Sequence, residues 1–343
     1  MPTDDHTPLG HARRYVSSCY AGMRDDEART LAYERAIAEA ARGRVVVDIG
    51  TGALALLAIF AAEAGAKHVY AIEVQPAAAA AARESVLAAG LSDRITVLEG
   101  FSTAIALPEA ARATLLVHEL IGEVAGEEGV VAAISDAARR FLDPSAQPPF
   151  SIPSRSRSLL APCEYPDAAY CARFPPETLE APGGGRALKL PSLPRSCLLA
   201  PAQPFEDLRF ESGAPSGTQR AALTFEIARA GALRGLACHV ELHCSAAGGD
   251  APPDVSSAWE GSHWRNVLLL LPAAQAVSAG QLVRVQTSAE LGGPQPQYTF
   301  DVSLQEPVGG TGAGQWRVLD VALCYPEAAL NCNDMADLMM DGS

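Results

Sequence analysis

Two groups of residues have types and spacing that could do chemistry. The run Asp48-Ile49-Gly50-Thr51-Gly52 follows the β-branched segment Val45-Val46-Val47 and precedes an apolar stretch. Glycines at a strand-to-helix turn let the backbone approach a ligand closely, although an isolated GxG also suits an ordinary tight turn. The following strand ends in Tyr70-Ala71-Ile72-Glu73. An acid there can accept hydrogen bonds from both hydroxyls of a ribose. The pair indicates a nucleoside ligand without choosing among cofactors; the plain alternative for Glu73 is a solvated strand end.

The second group is Cys238-His239-Val240-Glu241-Leu242-His243-Cys244. In a strand, His239, Glu241 and His243 share one face and the two cysteines the other. Three such ligands could bind zinc. The same segment also reads as an ordinary half-buried strand, and no metal is expected. Glu119, Glu123, Glu127 and Glu128 make a further acidic stretch, which alone would be a solvated loop.

The elements that must position these residues alternate at first. Strands are predicted over 44–50, 68–74, 94–99 and 113–119. Helices are predicted over 54–64, 76–89 (stopped by Gly90) and 130–142, the last from the stripe Val130, Val131, Ile134, Ala137, Ala138, Phe141 and Leu142. Continuous apolar strands between helices imply an α/β unit with a mostly parallel sheet covered on both faces. The pattern changes near Asp143-Pro144. Beyond it, short β-like runs over 221–228, 236–244, 266–271, 281–287, 297–304 and 316–324 suggest an antiparallel sandwich or barrel. A proline- and glycine-rich insert over 165–204, with Gly183-Gly184-Gly185, is a candidate arm. The expected division is 1–40, 41–150 and 151–343.

The chain has 343 residues, of which 48% are hydrophobic, enough for about two ordinary domains. No apolar stretch reaches the roughly 18 residues that span a bilayer, and the polar start Met1-Pro2-Thr3-Asp4-Asp5-His6 is no secretory signal. A cytoplasmic protein is expected, with Cys19, Cys163, Cys171, Cys197, Cys238, Cys244, Cys324 and Cys332 as reduced thiols. The net charge of −14 disfavours nucleic acid and anionic membranes and favours cationic ligands, including a guanidinium. Only Lys67 and Lys189 are lysines among 26 basic residues, which with the abundant alanine points to a GC-rich, bacterial genome.

Across nearly its whole length the chain resembles the protein arginine methyltransferases. The run Ser18-Cys19-Tyr20-Ala21-Gly22-Met23-Arg24-Asp25-Asp26-Glu27-Ala28-Arg29-Thr30 is similar to the family's substrate-covering helix. The D-x-G-x-G loop and acidic strand end follow in family order. Residues 119–128 resemble its double-glutamate loop, and Ser262-His263-Trp264 its Thr-His-Trp loop. The Ser-Cys-Tyr-Ala-x-Met run, Asp48 to Gly52, Ser102-Thr103 and Gly126-Glu127-Glu128-Gly129 are closest to the monomethylating, type III branch. Two departures stand out. Gly52 is followed by Ala53-Leu54-Ala55, with one extra residue and no third glycine; Ala104 stands where the family often has a carboxylate near the adenine.

The resemblance implies a class I S-adenosylmethionine-dependent domain followed by a β-barrel with a dimerisation arm near 165–204, assembled as a homodimer. It implies that S-adenosyl-L-methionine is held by Arg29 (through its carboxylate), Asp48, Gly50, Gly52, Glu73, Ser102, Thr103, Met23 and Tyr20. Glu119 and Glu128 would clamp the acceptor's guanidinium, whose planar donors two carboxylates satisfy. His263, oriented by Asp26, would accept the proton.

The composition and single-module length are similar to bacterial arginine N-methyltransferases that act on free L-arginine. The expected reaction is therefore monomethylation of free L-arginine in a bacterial biosynthetic pathway. Methylation of arginine-rich peptides, another small cationic acceptor, and a catalytically silent scaffold remain as alternatives.

Overall fold

The structure is a computed structural model. It describes residues 22–108, 112–181, 186–210, 215–245, 251–258, 260–293, 295–305 and 315–325. Tyr20, the Gly183-Gly184-Gly185 run, Cys19 and Cys332 lie outside the described residues.

Helix α1, Glu27–Ala40, begins at Asp26, whose side chain accepts from the Arg29 backbone N–H at 3.0 Å. Such an N-cap satisfies one of the amides that a helix start leaves unpaired. The helix buries Arg29, Tyr33, Ala36 and Ile37. The Tyr33 hydroxyl donates to the His118 carbonyl at 3.1 Å, which fastens α1 to the sheet.

Next come β1 (Val45–Ile49), α2 (Leu56–Glu63), β2 (His68–Glu73), α3 (Pro76–Ala88), β3 (Ile95–Glu99), β4 (Leu115–His118), α4 (Val130–Phe141) and β5 (Ser151–Ile152). The five strands are parallel, in the order β3-β2-β1-β4-β5. Val46, Val47, Leu115, Leu116 and Val117 are buried, so an uninterrupted apolar run is what these strands require. The strand order reverses between β1 and β4. In open α/β sheets a ligand crevice forms beyond the strand ends at this switch point. The loop after β1 carries Gly50 to Gly52, and the loop after β4 carries Glu119 to Glu128.

The predicted helix over 54–64 starts two residues later, at Leu56. Ala55 adopts a left-handed backbone, φ 47° and ψ 35°, which ends the loop there. Helix α3 stops with Gly90 just past its cap at φ 70°.

The remainder is antiparallel: β6 (Arg155–Cys163), a short helix α5 (Ala168–Cys171), β7 (Ala187–Leu190), β8 (Gln203–Arg209), β9 (Thr218–Glu226), β10 (Gly231–His243), β11 (Val255–Ser256), β12 (Asn266–Val277), β13 (Leu282–Glu290), β14 (Gln297–Gln305) and β15 (Trp316–Tyr325). One sheet runs β7-β12-β10-β6-β8 with β11 on β10, and the other β15-β14-β13-β9. Leu236, Val240, Val283, Phe300 and Val302 from both sheets join one buried core with the parallel sheet. In the insert, β7 pairs with β12, and Tyr170, Leu188, Leu190 and Leu193 form a second, smaller core. That part of the insert folds back onto the sheet because its apolar side chains bury there.

Candidate active site

Gly50 and Gly52 hold positive φ of 75° and 66°. At Gly50 space as well as conformation demands glycine, since a Cβ would stand 2.8 Å from Leu120 Cδ2. Asp48, the last residue but one of β1, is fully buried. Its Oδ2 accepts from the Thr51 hydroxyl at 2.5 Å, and burial pushes its carboxyl up to about 7. The Glu73 carboxylate closes the loop from β2. Oε2 accepts from the Gly52 N–H at 2.9 Å and Oε1 from the Gln75 N–H at 2.9 Å. The acid expected to face a ribose thus also pins the glycine loop, and each oxygen keeps a second lone pair.

Arg29 lies across this loop. Its Nη2 meets Glu119 Oε2 at 3.0 Å, with side chains 4% and 5% exposed. The guanidinium stacks over Tyr33 at 5.2 Å, and Nη1 reaches the Met23 carbonyl at 3.5 Å. Burial pulls against the Arg29 charge, but Glu119, Tyr33 and Asp26 together outweigh it and hold the guanidinium above its ordinary range. Arg29 Nε is buried without a hydrogen-bond partner among the described residues. Arg29 lines a hollow of about 40 Å³ with Met23, Gly50, Thr51, Leu54, Leu57 and Glu119 among others. An orphaned cationic donor in such a hollow fits a carboxylate ligand. Leu54 occupies the stretch where a third glycine was expected.

Ser102 and Thr103 follow β3. Arg140 of α4 donates to the Ser102 and Ile105 carbonyls, the latter at 2.7 Å, and so clasps this segment. Thr103 and Ala104 are exposed.

Asp26 and His263 meet. Asp26 Oδ2 lies 2.9 Å from His263 Nδ1 and accepts from the His263 backbone N–H at 2.9 Å. Burial pushes the Asp26 carboxyl up, but these bonds and the one from Arg29 N–H outweigh it and hold it below its ordinary range. Next to it, Trp264 Nε1 donates to the Ile121 carbonyl at 2.7 Å. The 262–264 loop therefore ties the start of α1 to the acid loop.

Glu128 has no hydrogen-bond partner among the described residues. Solvent reaches its side chain, while protein surrounds it on its other sides. Burial pushes its carboxyl up to about 7, with Glu119 and Glu123 adding and Lys189 opposing. The neighbouring acids behave otherwise. Lys189 Nζ lies 2.7 Å from Glu123 Oε2 and 3.4 Å from Glu127 Oε1. Burial and Glu123 push the Glu127 carboxyl up, whereas the hydrogen bond with Glu127 and the Lys189 charge hold Glu123 down against its own burial. Beneath the loop, the Tyr298 hydroxyl donates to Glu206 Oε1 at 2.8 Å, and Ser158 Oγ donates to Glu206 Oε2. Ser158 Oγ also accepts from the Ala125 N–H at 2.9 Å.

Sequence reasoning missed Lys189, Tyr33, Glu206 and the Arg29–Glu119 pair. One signal could have found Lys189: it is one of two lysines in an arginine-rich chain. In the Cys238 to Cys244 segment, Glu241 Oε2 accepts from Arg157 at 2.7 Å. Among the described residues no three acids, histidines or cysteines are placed to hold a metal, and no helix is long and apolar enough to cross a membrane.

Residues 31–124 match the family model for ribosomal protein L11 methyltransferase. A probable protein arginine N-methyltransferase 6 of Arabidopsis thaliana is 35% identical over 168 residues, covering 48% of this chain and 37% of that protein. Protein arginine N-methyltransferase 1 of Schizosaccharomyces pombe is 33% identical over 148 residues, covering 42% of each. The chain thus spans under half the length of these curated relatives. Among solved structures, Arabidopsis thaliana protein arginine methyltransferase 10 superposes with a TM-score of 0.69 at 20% identity, covering 87% of this chain and 96% of that one. The Trypanosoma brucei PRMT1 enzyme-prozyme heterotetrameric complex with AdoHcy gives 0.67 at 19% identity, covering 88% and 96%. The fold is therefore that of these solved structures, a Rossmann-like α/β unit joined to antiparallel β-sheets.

Proposed function

We propose that the chain is an S-adenosylmethionine-dependent arginine N-methyltransferase whose acceptor is free L-arginine, methylated once on a guanidino nitrogen in a bacterial biosynthetic pathway. One observation carries the reading. Glu119, which is buried, and Glu128, whose carboxyl has no hydrogen-bond partner among the described residues, sit on one loop at the sheet's switch point, and Glu119 lines a hollow together with Gly50 and Arg29. The relatives' names support the arginine chemistry.

The residues around the hollow fit S-adenosylmethionine. Arg29 would hold its carboxylate, Gly50 and Gly52 would admit it closely, and the spare lone pairs of Glu73 would take its ribose. When bound, this cofactor supplies an electrophilic methyl group on a sulfonium. Glu119 and Glu128 bind the guanidinium through its planar donors and fix that plane. They draw positive charge toward themselves and leave the remaining nitrogen to attack. Holding that nitrogen in line supplies much of the rate. Asp26 holds His263 Nδ1, which orients the ring so that Nε2 is the position able to accept the departing proton.

The decisive experiment supplies the protein with labelled S-adenosylmethionine and free L-arginine. Monomethylarginine is the expected product. Methylation of an arginine-rich peptide without methylation of the free amino acid would make the chain a protein arginine methyltransferase. Absence of any S-adenosylhomocysteine binding by calorimetry would make it a scaffold. We also propose a homodimer formed through part of the 165–204 insert; a monomer mass in solution scattering would overturn it.

A further inference from the structure

We propose that Lys189 and Glu123 form the docking pair for the head group of a free α-amino acid, Lys189 taking the α-carboxylate and Glu123 the α-ammonium. The inference rests on the methyltransferase reading above and names the part of the acceptor that the guanidinium clamp leaves unread.

The first ground is unused bonding capacity. The Lys189 ammonium has three donors, and two face Glu123 and Glu127 at 2.7 and 3.4 Å. Among the described residues the third has no partner, on a side chain 34% exposed. Glu123 receives Lys189 at Oε2 and shares a further hydrogen bond with Glu127, yet a carboxylate has about four lone-pair sites and this side chain is 21% exposed. Each member of the pair therefore keeps hydrogen-bonding capacity and access to solvent.

The second ground is position. Lys189 pairs with Val267 in the β7–β12 ladder, and β12 follows directly from His263 and Trp264. Trp264 is bonded to Ile121, in the same loop as Glu119, Glu123 and Glu128. Glu123 lies between Glu119 and Glu128 on that loop, and Lys189 reaches it at 2.7 Å, so the ion pair belongs to the same loop as the clamp. An extended arginine separates its guanidinium from its α-carbon by about 6–7 Å, so one molecule has the length to address an acid clamp and a neighbouring ion pair.

The third ground is charge. A Lys⁺–Glu⁻ pair complements the zwitterion of an amino acid in antiparallel fashion. The four charges alternate in sign, and no net charge is added to the site. An arginine inside a peptide has neither charge at its α-carbon and gains nothing from the pair. Lys189 and Glu123 would thus select the free amino acid over the peptide.

The test uses the full chain with three acceptors: L-arginine, agmatine (which lacks the carboxylate) and 4-guanidinobutyrate (which lacks the ammonium). Wild-type protein should prefer L-arginine to either analogue by about 10- to 100-fold in kcat/KM, the range for losing one charged hydrogen bond. Lys189→Met should erase the preference over agmatine, and Lys189→Arg should restore much of it. Glu123→Gln should erase the preference over 4-guanidinobutyrate. A pair that only braces the loop would lower all three acceptors alike and leave the ratios unchanged, which overturns the proposal. Equal wild-type rates with all three overturn it without any variant, should Lys189→Met not fold. If no guanidine is methylated at all, the methyltransferase reading fails and the docking pair falls with it.

Discussion

The Arg29 guanidinium and the Glu119 carboxylate hold each other, with Nη2 3.0 Å from Oε2 and both side chains buried. One partner edges the glycine-floored hollow and the other opens the acid loop. The pair therefore couples the proposed cofactor site to the proposed acceptor site through a single charge-assisted bond. It also explains how an acid and a base can both be buried here without a pathological cost, since each neutralises the other.

Glu119→Gln keeps the side chain's shape and removes its charge. Arg29 then stays buried without its charged partner, at a cost of about 3–5 kcal/mol. The urea midpoint should fall accordingly. Methyl transfer should drop about 100-fold or more, because the guanidinium plane is no longer fixed. A wild-type urea midpoint for this variant would show that the pair contributes little.

Glu128 should give the reaction a pH dependence. Its carboxyl, pushed up to about 7, is neutral below that pH and cannot clamp a cation well. Between pH 5 and 7, kcat/KM should rise by roughly tenfold per unit and then level. Folding stability runs the other way. The contribution from the neutral carboxyl is complete below its ordinary pKa of 4.5 and is lost as pH rises through about 7. Glu128→Gln should remove the acidic limb; an unchanged limb in that variant would assign the titration to another group.

Asp26→Asn separates two roles of one side chain. Asparagine caps a helix as well as aspartate, so the bond from the Arg29 N–H should survive and stability should fall by no more than about 1–2 kcal/mol. The charge facing His263 Nδ1 is lost. Turnover should fall about 100-fold, at the lower end of what a positioned acid–base group supplies. Stability from Asp26 is present above its ordinary carboxylate range and is lost as pH falls through its lowered value, so the variant should also blunt acid unfolding. Wild-type turnover in this variant would remove His263 from the proton path.

Much of the architecture was legible in the chain because it depends on local pattern. The parallel strands are continuous apolar runs, as at Val45 to Val47 and Leu115 to Val117, and those are readable without tertiary knowledge. Strand β6 was not. Its Arg155-Ser156-Arg157-Ser158 start looks like a polar loop, yet Arg155 pairs with Asp207 at 2.6 Å and Arg157 with Glu241 at 2.7 Å. Those partners are distant in sequence, so the pattern of β6 makes sense only once the sheet exists. The site divides the same way. Asp26 and His263 could be named from flanking motifs, whereas nothing local tells which of four glutamates Lys189 will neutralise. At Ala55 the left-handed turn is carried by alanine, so the usual glycine signal for it is missing.

Gly126→Ala tests whether the acid loop is positioned from beneath. The backbone at this position suits alanine, but a Cβ would stand 2.6 Å from both Glu206 Oε1 and the Tyr298 hydroxyl, and 3.0 Å from Leu291 Cδ2. Neither polar atom can retreat easily, since they bond each other at 2.8 Å and Glu206 also receives Ser158. Overpacking of this kind costs about 1–3 kcal/mol. Displacing the loop by a fraction of an ångström moves Glu128 and should lower kcat/KM about 10- to 100-fold. Arg29, Gly50 and Glu73 belong to other elements, so S-adenosylhomocysteine affinity by calorimetry should stay within about twofold of wild type. A parallel loss of cofactor affinity would mean the whole cleft has shifted, and unaltered turnover would mean the Glu206 network does not set the position of Glu128.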